Sequence, residues 1–219
     1  MMRLAISRIH FPVTTLGPGR RVGIWLQGCS IRCPGCISAD TWRAVPGDVT
    51  AQELVDSVEP WLSECDGVTI SGGEPFDQLP GLASLLKELR NRFDTNVLVF
   101  SGYSYETLLE SETAWGGLID ALVSDPFVEA VEQTKALRGS DNQRLYCLTP
   151  TGTALFSRYE RPILEADKHL DVMFDEDGTV WMAGIPTRGD MTKLRALLHE
   201  EGHSAHTTEA PVSLCKTPS

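Results

Sequence analysis

The sequence predicts an α/β fold built on a parallel sheet, followed by a C-terminal β-hairpin and helix. Three observations predict it. Short β-rich runs alternate with helical patterns through the first 150 residues, a rhythm that implies right-handed βαβ units. Beyond about Pro150 the pattern changes to a hairpin signal and one amphipathic helix. Two turns rich in glycine or cysteine each follow a predicted strand, where an α/β sheet carries its working residues.

Each element has its own reason. Arg21–Gln27 (RVGIWLQ) reads as a strand that ends just before the first cysteine of a cluster. Ala51–Leu62 places Leu54, Val55, Val58 and Leu62 at helical spacing. Val68–Ser71 is a short strand. Leu79–Phe93 sets Leu82, Leu85, Leu86 and Leu89 on one face, with Pro80 tolerated in the first turn. Asn96–Phe100 (NVLVF) is a buried-type strand, Tyr105–Leu109 is helical, and Leu118–Val123 (LIDALV) is a further strand. Leu145–Leu148 reads as a strand after a polar turn. Leu170–Phe174 and Thr179–Met182 flank an Asp-Gly turn, the signature of a hairpin. Asp190–Glu200 turns Met191, Leu194, Leu197 and Leu198 inward, stops at Gly202, and leaves the last dozen residues as a tail.

Composition narrows the function. At 219 residues, 42% hydrophobic and 22% charged, the chain suits one globular domain with an appended element. No apolar run approaches the ~18 residues of a membrane span. The start, MMRLAISRIHFPV, has no long apolar stretch or small-residue cleavage site, so the expected location is the cytoplasm. A net charge of −11 argues against nucleic acid as a partner. Arg20/Arg21 and Arg158/Arg161 are the compact basic spots, expected to be solvated or ion-paired. Cys65, Cys147 and Cys215 lie far apart and read as free thiols.

The remaining three cysteines sit together in Gly28-Cys-Ser-Ile-Arg-Cys-Pro-Gly-Cys36. Cys33-Pro-Gly-Cys36 has the spacing of a redox pair, but that reading leaves Cys29 unexplained. A structural zinc site takes four ligands, and a fourth would have to come from afar. His199-Glu-Glu-Gly-His203 matches H-E-x-x-H, yet Gly202 stops the helix before the second histidine, so a metal role for His199, Glu200 and His203 is not expected. Three cysteines on a 4Fe–4S cluster would leave one iron without a protein ligand, open to a small molecule.

C-x3-C-x2-C followed by Gly72-Gly-Glu-Pro75, each after a strand, resembles the radical S-adenosylmethionine (SAM) superfamily. The resemblance implies a partial (β/α) barrel in which Cys29, Cys33 and Cys36 hold a 4Fe–4S cluster and SAM chelates the fourth iron. It implies that Gly72, Gly73, Glu74 and Pro75 meet the methionyl end of SAM. Paired glycines allow close backbone approach. Glu74 offers a charge for an ammonium or a neighbouring backbone group.

Gly17-Pro-Gly-Arg20, Ile24-Trp-Leu-Gln-Gly-Cys29 and Thr41-Trp42 resemble the glycyl-radical-enzyme activases, closest to the activases of anaerobic (class III) ribonucleotide reductase. Ser101-Gly-Tyr-Ser-Tyr-Glu106 and Leu137-Arg-Gly-Ser-Asp-Asn-Gln-Arg144 extend that likeness. It adds Ser101, Arg138 and Asn142 as cofactor-binding candidates, the last two toward the SAM carboxylate or ribose. It further implies an oxidoreductase with a glycyl radical enzyme as protein substrate and a low-potential electron donor such as flavodoxin or ferredoxin. On this reading residues 1–150 form the radical SAM core and 151–219 a C-terminal extension.

Three departures leave the hydrogen donor open. Ile37-Ser38 stand where that branch usually has His-Asn, Ser124-Asp-Pro-Phe127 where it has Asp-Gly-Pro-Phe, and the extension has no counterpart in short activases. One alternative keeps the SAM chemistry and changes the target to another peptide, protein or small molecule. Another, from a different class, is a non-catalytic iron–sulfur redox protein, which would have no use for an open iron.

Overall fold

The computed structural model describes residues 2–176, 179–204, 207 and 208. In chain order, β1 (Arg3–Leu4) and β2 (Ile6–Val13) lead into β3 (Arg21–Leu26). After the cysteine loop come β4 (Val49–Thr50), α1 (Ala51–Ser57), α2 (Glu59–Leu62), β5 (Gly67–Gly72) and α3 (Leu79–Arg92). Then follow β6 (Asn96–Phe100), α4 (Tyr105–Leu109), α5 (Glu112–Trp115), β7 (Ala121–Ser124), β8 (Arg144–Cys147) and α6 (Pro150–Phe156). The hairpin β9 (Leu170–Phe174) and β10 (Val180–Gly184) and the helix α7 (Asp190–Glu200) come last.

Six strands form one sheet in the order β2-β3-β5-β6-β7-β8. The inner four are parallel, as the βα rhythm predicts. Both edge strands, β2 and β8, run antiparallel to their neighbours. They are not paired with each other, so the described sheet is an open, mostly parallel one. The antiparallel edge β2 is an element that the rhythm of the sequence does not announce.

Alternation along the strands sends side chains to two faces. Val22, Ile24, Leu26, Val68, Ile70, Val97, Val99 and Leu122 form one core with α1 and α3. Leu82, Leu85, Leu86 and Leu89 are fully buried there. The helix predicted over 51–62 is two helices that meet at Val58. Pro60 is the cause: it lacks an N–H, and its ring crowds the carbonyl four residues back. A capping box starts α1, with Thr50 Oγ1 accepting from Glu53 N–H and Glu53 accepting from Thr50 N–H.

The other face is covered by the C-terminal segment. Phe156 from α6 packs with Leu98, Ala121 and Val123. Ala183 and Met173 from the hairpin pack with Val13, Leu16 and Trp25. Polar contacts tie the same segment down. Asp171 accepts from the backbone N–H and the hydroxyl of both Thr14 and Thr15, at 2.7–3.1 Å. The Arg8 guanidinium lies 5.4 Å from the Trp25 ring centroid and 4.7 Å from that of Trp181. Strands β9 and β10 pair antiparallel, from Leu170–Gly184 to Phe174–Val180. The Asp177-Gly178 turn between them lies outside the described residues, as do Cys215 and the tail from residue 209.

Two expectations are corrected here. Arg21 is neither solvated nor ion-paired. It is fully buried, donating to Thr69 Oγ1, Pro18 O, Asn96 Oδ1 and Val68 O, and burial pulls its pKa down to about 10. Leu197 is 60% exposed rather than inward, because α7 rests on the fold chiefly through Met191. The helix ends as predicted: Gly202 has a φ of 82°, its N–H bonds His199 O, and His203 N–H bonds Leu198 O.

Candidate functional site

The register of the parallel strands decides where the two motifs meet. Leu26, the last residue of β3, pairs with Gly72, near the start of the Gly-Gly-Glu-Pro turn. The chain leaves β3 at Gln27 and returns to it at Trp42: Gly28 N–H bonds Thr41 O at 2.7 Å, and Cys29 N–H bonds Trp42 O at 3.3 Å. Inside this closed loop, Arg32 (φ 52°) and Gly35 (φ 74°) take left-handed turns that coil the three cysteines together. All three are free thiols, partly buried.

Burial pushes each of the three thiols up in pKa, and N–H groups pull it back. For Cys29 these are the backbone N–H groups of Arg32, 3.4 Å from Sγ, and Ile31. For Cys33 it is the backbone N–H of Phe127, and for Cys36 the Ser38 N–H with the Trp42 side chain. Among the described residues no three His, Cys, Asp or Glu converge on a point suited to a single metal ion. A cluster takes one thiolate per iron and needs no such convergence. Three thiols on one coiled loop, ringed by N–H donors, fit a cluster by the chemistry of the donor set.

The Gly-Gly-Glu-Pro turn is pressed against this loop. Gly73 N–H bonds Leu26 O, and Glu74 N–H bonds Gly28 O, both at 2.8 Å. A Cβ on Gly73 would lie 1.9 Å from the Gly28 carbonyl oxygen, so no other residue fits there. Gly72, at φ 109°, would drive a Cβ to 2.4 Å from the Leu26 backbone.

Glu74 is 1% exposed. Its Oε1 accepts from Phe76 N–H at 3.0 Å and from Ser101 Oγ–H at 2.8 Å, and its Oε2 accepts from Gly102 N–H at 2.7 Å. Backbone N–H groups are thus among its partners, as expected for this carboxyl. Desolvation raises its pKa to about 7 against those three hydrogen bonds. Ser101 donates to Glu74, and the pair staples the end of β5 to the end of β6.

Sequence reasoning missed Asp77. Its carboxylate accepts from Ser30 N–H (2.7 Å), Ser30 Oγ (2.9 Å) and Tyr103 OH (2.7 Å), fastening the residue after Cys29 to the turns beyond β5 and β6. Asp77 follows a recognised motif closely, but its partners are 47 and 26 residues away, beyond the reach of any local pattern.

Arg138 and Asn142 lie in a supporting layer. The Arg138 guanidinium pairs with Glu160 and donates to Ala136 O and Tyr159 O. Asn142 Nδ2 donates to Pro126 O at 2.8 Å, and Ser140 Oγ accepts from Val128 N–H at 3.1 Å. Their loop therefore shapes residues 126–128, which in turn reach Cys33. Asp125 has a φ of 80°, the conformation that suits the glycine of the usual Asp-Gly-Pro-Phe, and its carboxylate pairs with Arg144 at 2.7 Å. A cleft of about 550 Å³ lies alongside, lined by Pro34, Phe127, Val128, Glu129 and Ala130.

The anaerobic ribonucleoside-triphosphate reductase-activating protein of Enterobacteria phage T4 is 29% identical over 138 residues, 61% of this chain and 87% of that one. Its namesake in Escherichia coli K12 is 28% identical over 148 residues, 64% of this chain and 96% of that one. The pyruvate formate-lyase-activating enzyme of Staphylococcus epidermidis is 41% identical over 96 residues, 41% of this chain and 38% of that enzyme. The crystal structure of QueE from Escherichia coli aligns over 47% of this chain and 54% of that one at 19% identity and a TM-score of 0.39, too loose a match to bear on the chemistry. Residues 15–146, which contain the three coiled cysteines and the turn docked on them, match the 4Fe-4S single cluster domain, and the chain belongs to that family.

Proposed function

We propose that this protein is a radical SAM activase that generates a glycyl radical on a partner enzyme such as an anaerobic ribonucleotide reductase. The observation that carries the reading is the docking of two motifs on one sheet edge. Gly73 and Glu74 hydrogen-bond the backbone that opens the cysteine loop, in a chain similar over 61–64% of its length to proteins named for this activation.

Cys29, Cys33 and Cys36 would hold the 4Fe–4S cluster, and Gly72–Pro75 would orient the methionyl end of SAM. The chemistry that the bound cluster supplies is one-electron reductive cleavage of SAM to methionine and a 5′-deoxyadenosyl radical, which takes a hydrogen atom from a backbone glycine. This chain's residues bind, orient and exclude water. Asp77 and Glu74 lock the three loops at the carboxyl ends of β3, β5 and β6 into one frame. The open cleft beside Pro34, lined by Phe127, Val128 and Ala130 together with Glu129, offers an approach to the cysteine loop. A low-potential flavodoxin or ferredoxin fits as electron donor, and the cytoplasm as the place of work. Among the described residues no helix is long and apolar enough to cross a membrane.

The test is reconstitution without oxygen, reduction with dithionite, addition of SAM and quantification of 5′-deoxyadenosine, with Cys33→Ala as control. A new protein radical in electron paramagnetic resonance, on addition of a candidate glycyl radical enzyme, is the expected result. No 5′-deoxyadenosine above background, with the cluster intact, sinks the proposal. One observation favours a second reading in which the target differs: residues from Leu155 to Ile185 pack on the sheet face opposite α1 and α3. SAM cleavage without a radical on any glycyl radical enzyme would select it.

A further inference from the structure

The indole of Trp42 presents an unsatisfied donor next to the cysteine loop. Its Nε1–H is shut off from solvent and has no hydrogen-bond partner. A buried indole N–H normally finds an acceptor. The backbone that carries the ring is fixed in place. Trp42 ends a short 3-10 helix, Ala39–Trp42, that begins three residues after Cys36. Its carbonyl accepts from Cys29 N–H, and the preceding Thr41 carbonyl accepts from Gly28 N–H. Thr41 donates twice to Ser38 O, through its N–H at 3.0 Å and its hydroxyl at 2.6 Å. The Arg43 carbonyl accepts from Gln27 Nε2 at 2.8 Å. The backbone on both sides of the indole is fixed to the loop that carries the cysteines.

The loop that holds this orphaned N–H carries three sulfurs, and Cys36 is the one whose pKa the Trp42 side chain draws down against burial. A thiol sulfur is a weak acceptor, and no hydrogen bond of normal geometry reaches it from the indole. A thiolate, the form that binds iron, is a far better acceptor. The other two cysteines receive backbone N–H groups, from Arg32 and Phe127, which any sequence would supply. Trp42 is the side-chain donor of the set, so it is the one that the sequence itself controls.

We propose that Trp42 tunes the cluster, its indole N–H donating to the Cys36 sulfur that ligates iron and making the cluster easier to reduce. Reduction adds negative charge that spreads over the cluster and its thiolates, and a donor to sulfur favours the more negative state. The inference rests on the cluster reading above. It assigns Trp42 no contact with SAM or substrate.

The test is the midpoint potential of the reconstituted full chain, followed by electron paramagnetic resonance during a redox titration. Trp42→Phe is expected to shift the midpoint to a more negative potential at unchanged iron and sulfide content. Replacing Trp42 with benzothienylalanine keeps the bicyclic shape and removes the N–H, and is expected to give the same shift. Trp61→Phe, on α2 among the helices, is expected to leave it in place. An unchanged midpoint in both Trp42 variants with the cluster intact overturns the inference and leaves the proposed function standing. Reduced cluster content without a shift likewise overturns it, since the indole then only packs the loop. A wild-type chain that takes up no cluster overturns both.

Discussion

The two faces of the central sheet are held by different physics. One face buries Leu82, Leu85, Leu86 and Leu89 of α3 completely, together with six β-branched residues of the parallel strands. The other is covered by residues from Leu155 to Ile185, whose apolar contacts are fewer and whose polar clamps are specific: Asp171 on Thr14 and Thr15, Arg8 between Trp25 and Trp181, and Arg138 with Glu160. The first face supplies stability and asks nothing of the rest of the chain. The second ties a late segment to the first strands and leaves more of its apolar surface wet, including Val172 at 47% and Phe174 at 76% exposed. The functional loops sit at the carboxyl edge between the faces, so they inherit rigidity from one and a boundary from the other.

Four measurements break or sharpen that contrast. The largest effect belongs to the helix face. Leu86→Ala removes a fully buried side chain and is expected to cost about 2–5 kcal/mol in urea unfolding, with the whole sheet lost in one transition. A loss well under that range would show that α3 is not the stabilising layer.

The second effect lies on the edge between the faces and is read in pH. The folded-state pKa of Glu74, about 7, stands above its usual 4.5, so the folded chain binds the extra proton between those values. Stability therefore falls as pH rises from about 4.5 to about 7, and the Glu74 contribution is flat on either side. Thermal unfolding followed across that range is expected to show this slope, and Glu74→Gln to flatten it. The same slope in both proteins would mean that another group titrates there.

Third comes the clamped face. Asp171→Ala deletes four hydrogen bonds and is expected to cost about 1–2 kcal/mol. Limited proteolysis should then cut between residues 160 and 190 while leaving residues 1–150 intact. Unfolding of the entire chain, as in Leu86→Ala, would show that the two faces are one cooperative unit.

The smallest effect tests a departure. Asp125→Gly relieves a left-handed backbone and forfeits the carboxylate bond to Arg144, two terms of similar size and opposite sign. Unfolding free energy is expected to stay within about 1 kcal/mol of the parent. A larger loss would mean that the Arg144 pair, which also engages Glu106, organises the edge strand β8.

Much of this was legible in the residues because its causes are local or periodic. The leucine spacing of α3, the NVLVF run of β6 and the Asp190–Glu200 pattern gave elements that match within a residue at either end. The two chemical motifs were legible for the same reason, each being a short contiguous string whose place at a strand end follows from βα alternation. The break at Pro60 was visible in principle, as a proline inside a helical pattern, and the apolar spacing concealed it.

By itself, then, the sequence determined the α/β rhythm, the helix-clad face, the three-cysteine loop and its partner turn. Tertiary structure alone decided what touches what across distance. It put Glu74 on backbone donors, buried Arg21 among four acceptors, brought Asp77 to Ser30 and left a buried indole N–H without a partner beside the cysteine loop. It also folded the C-terminal segment over the second face. The physical reason is common to all of these. Periodicity and turn chemistry act over a few residues, whereas a buried polar group must find its partner wherever the packed chain happens to supply one.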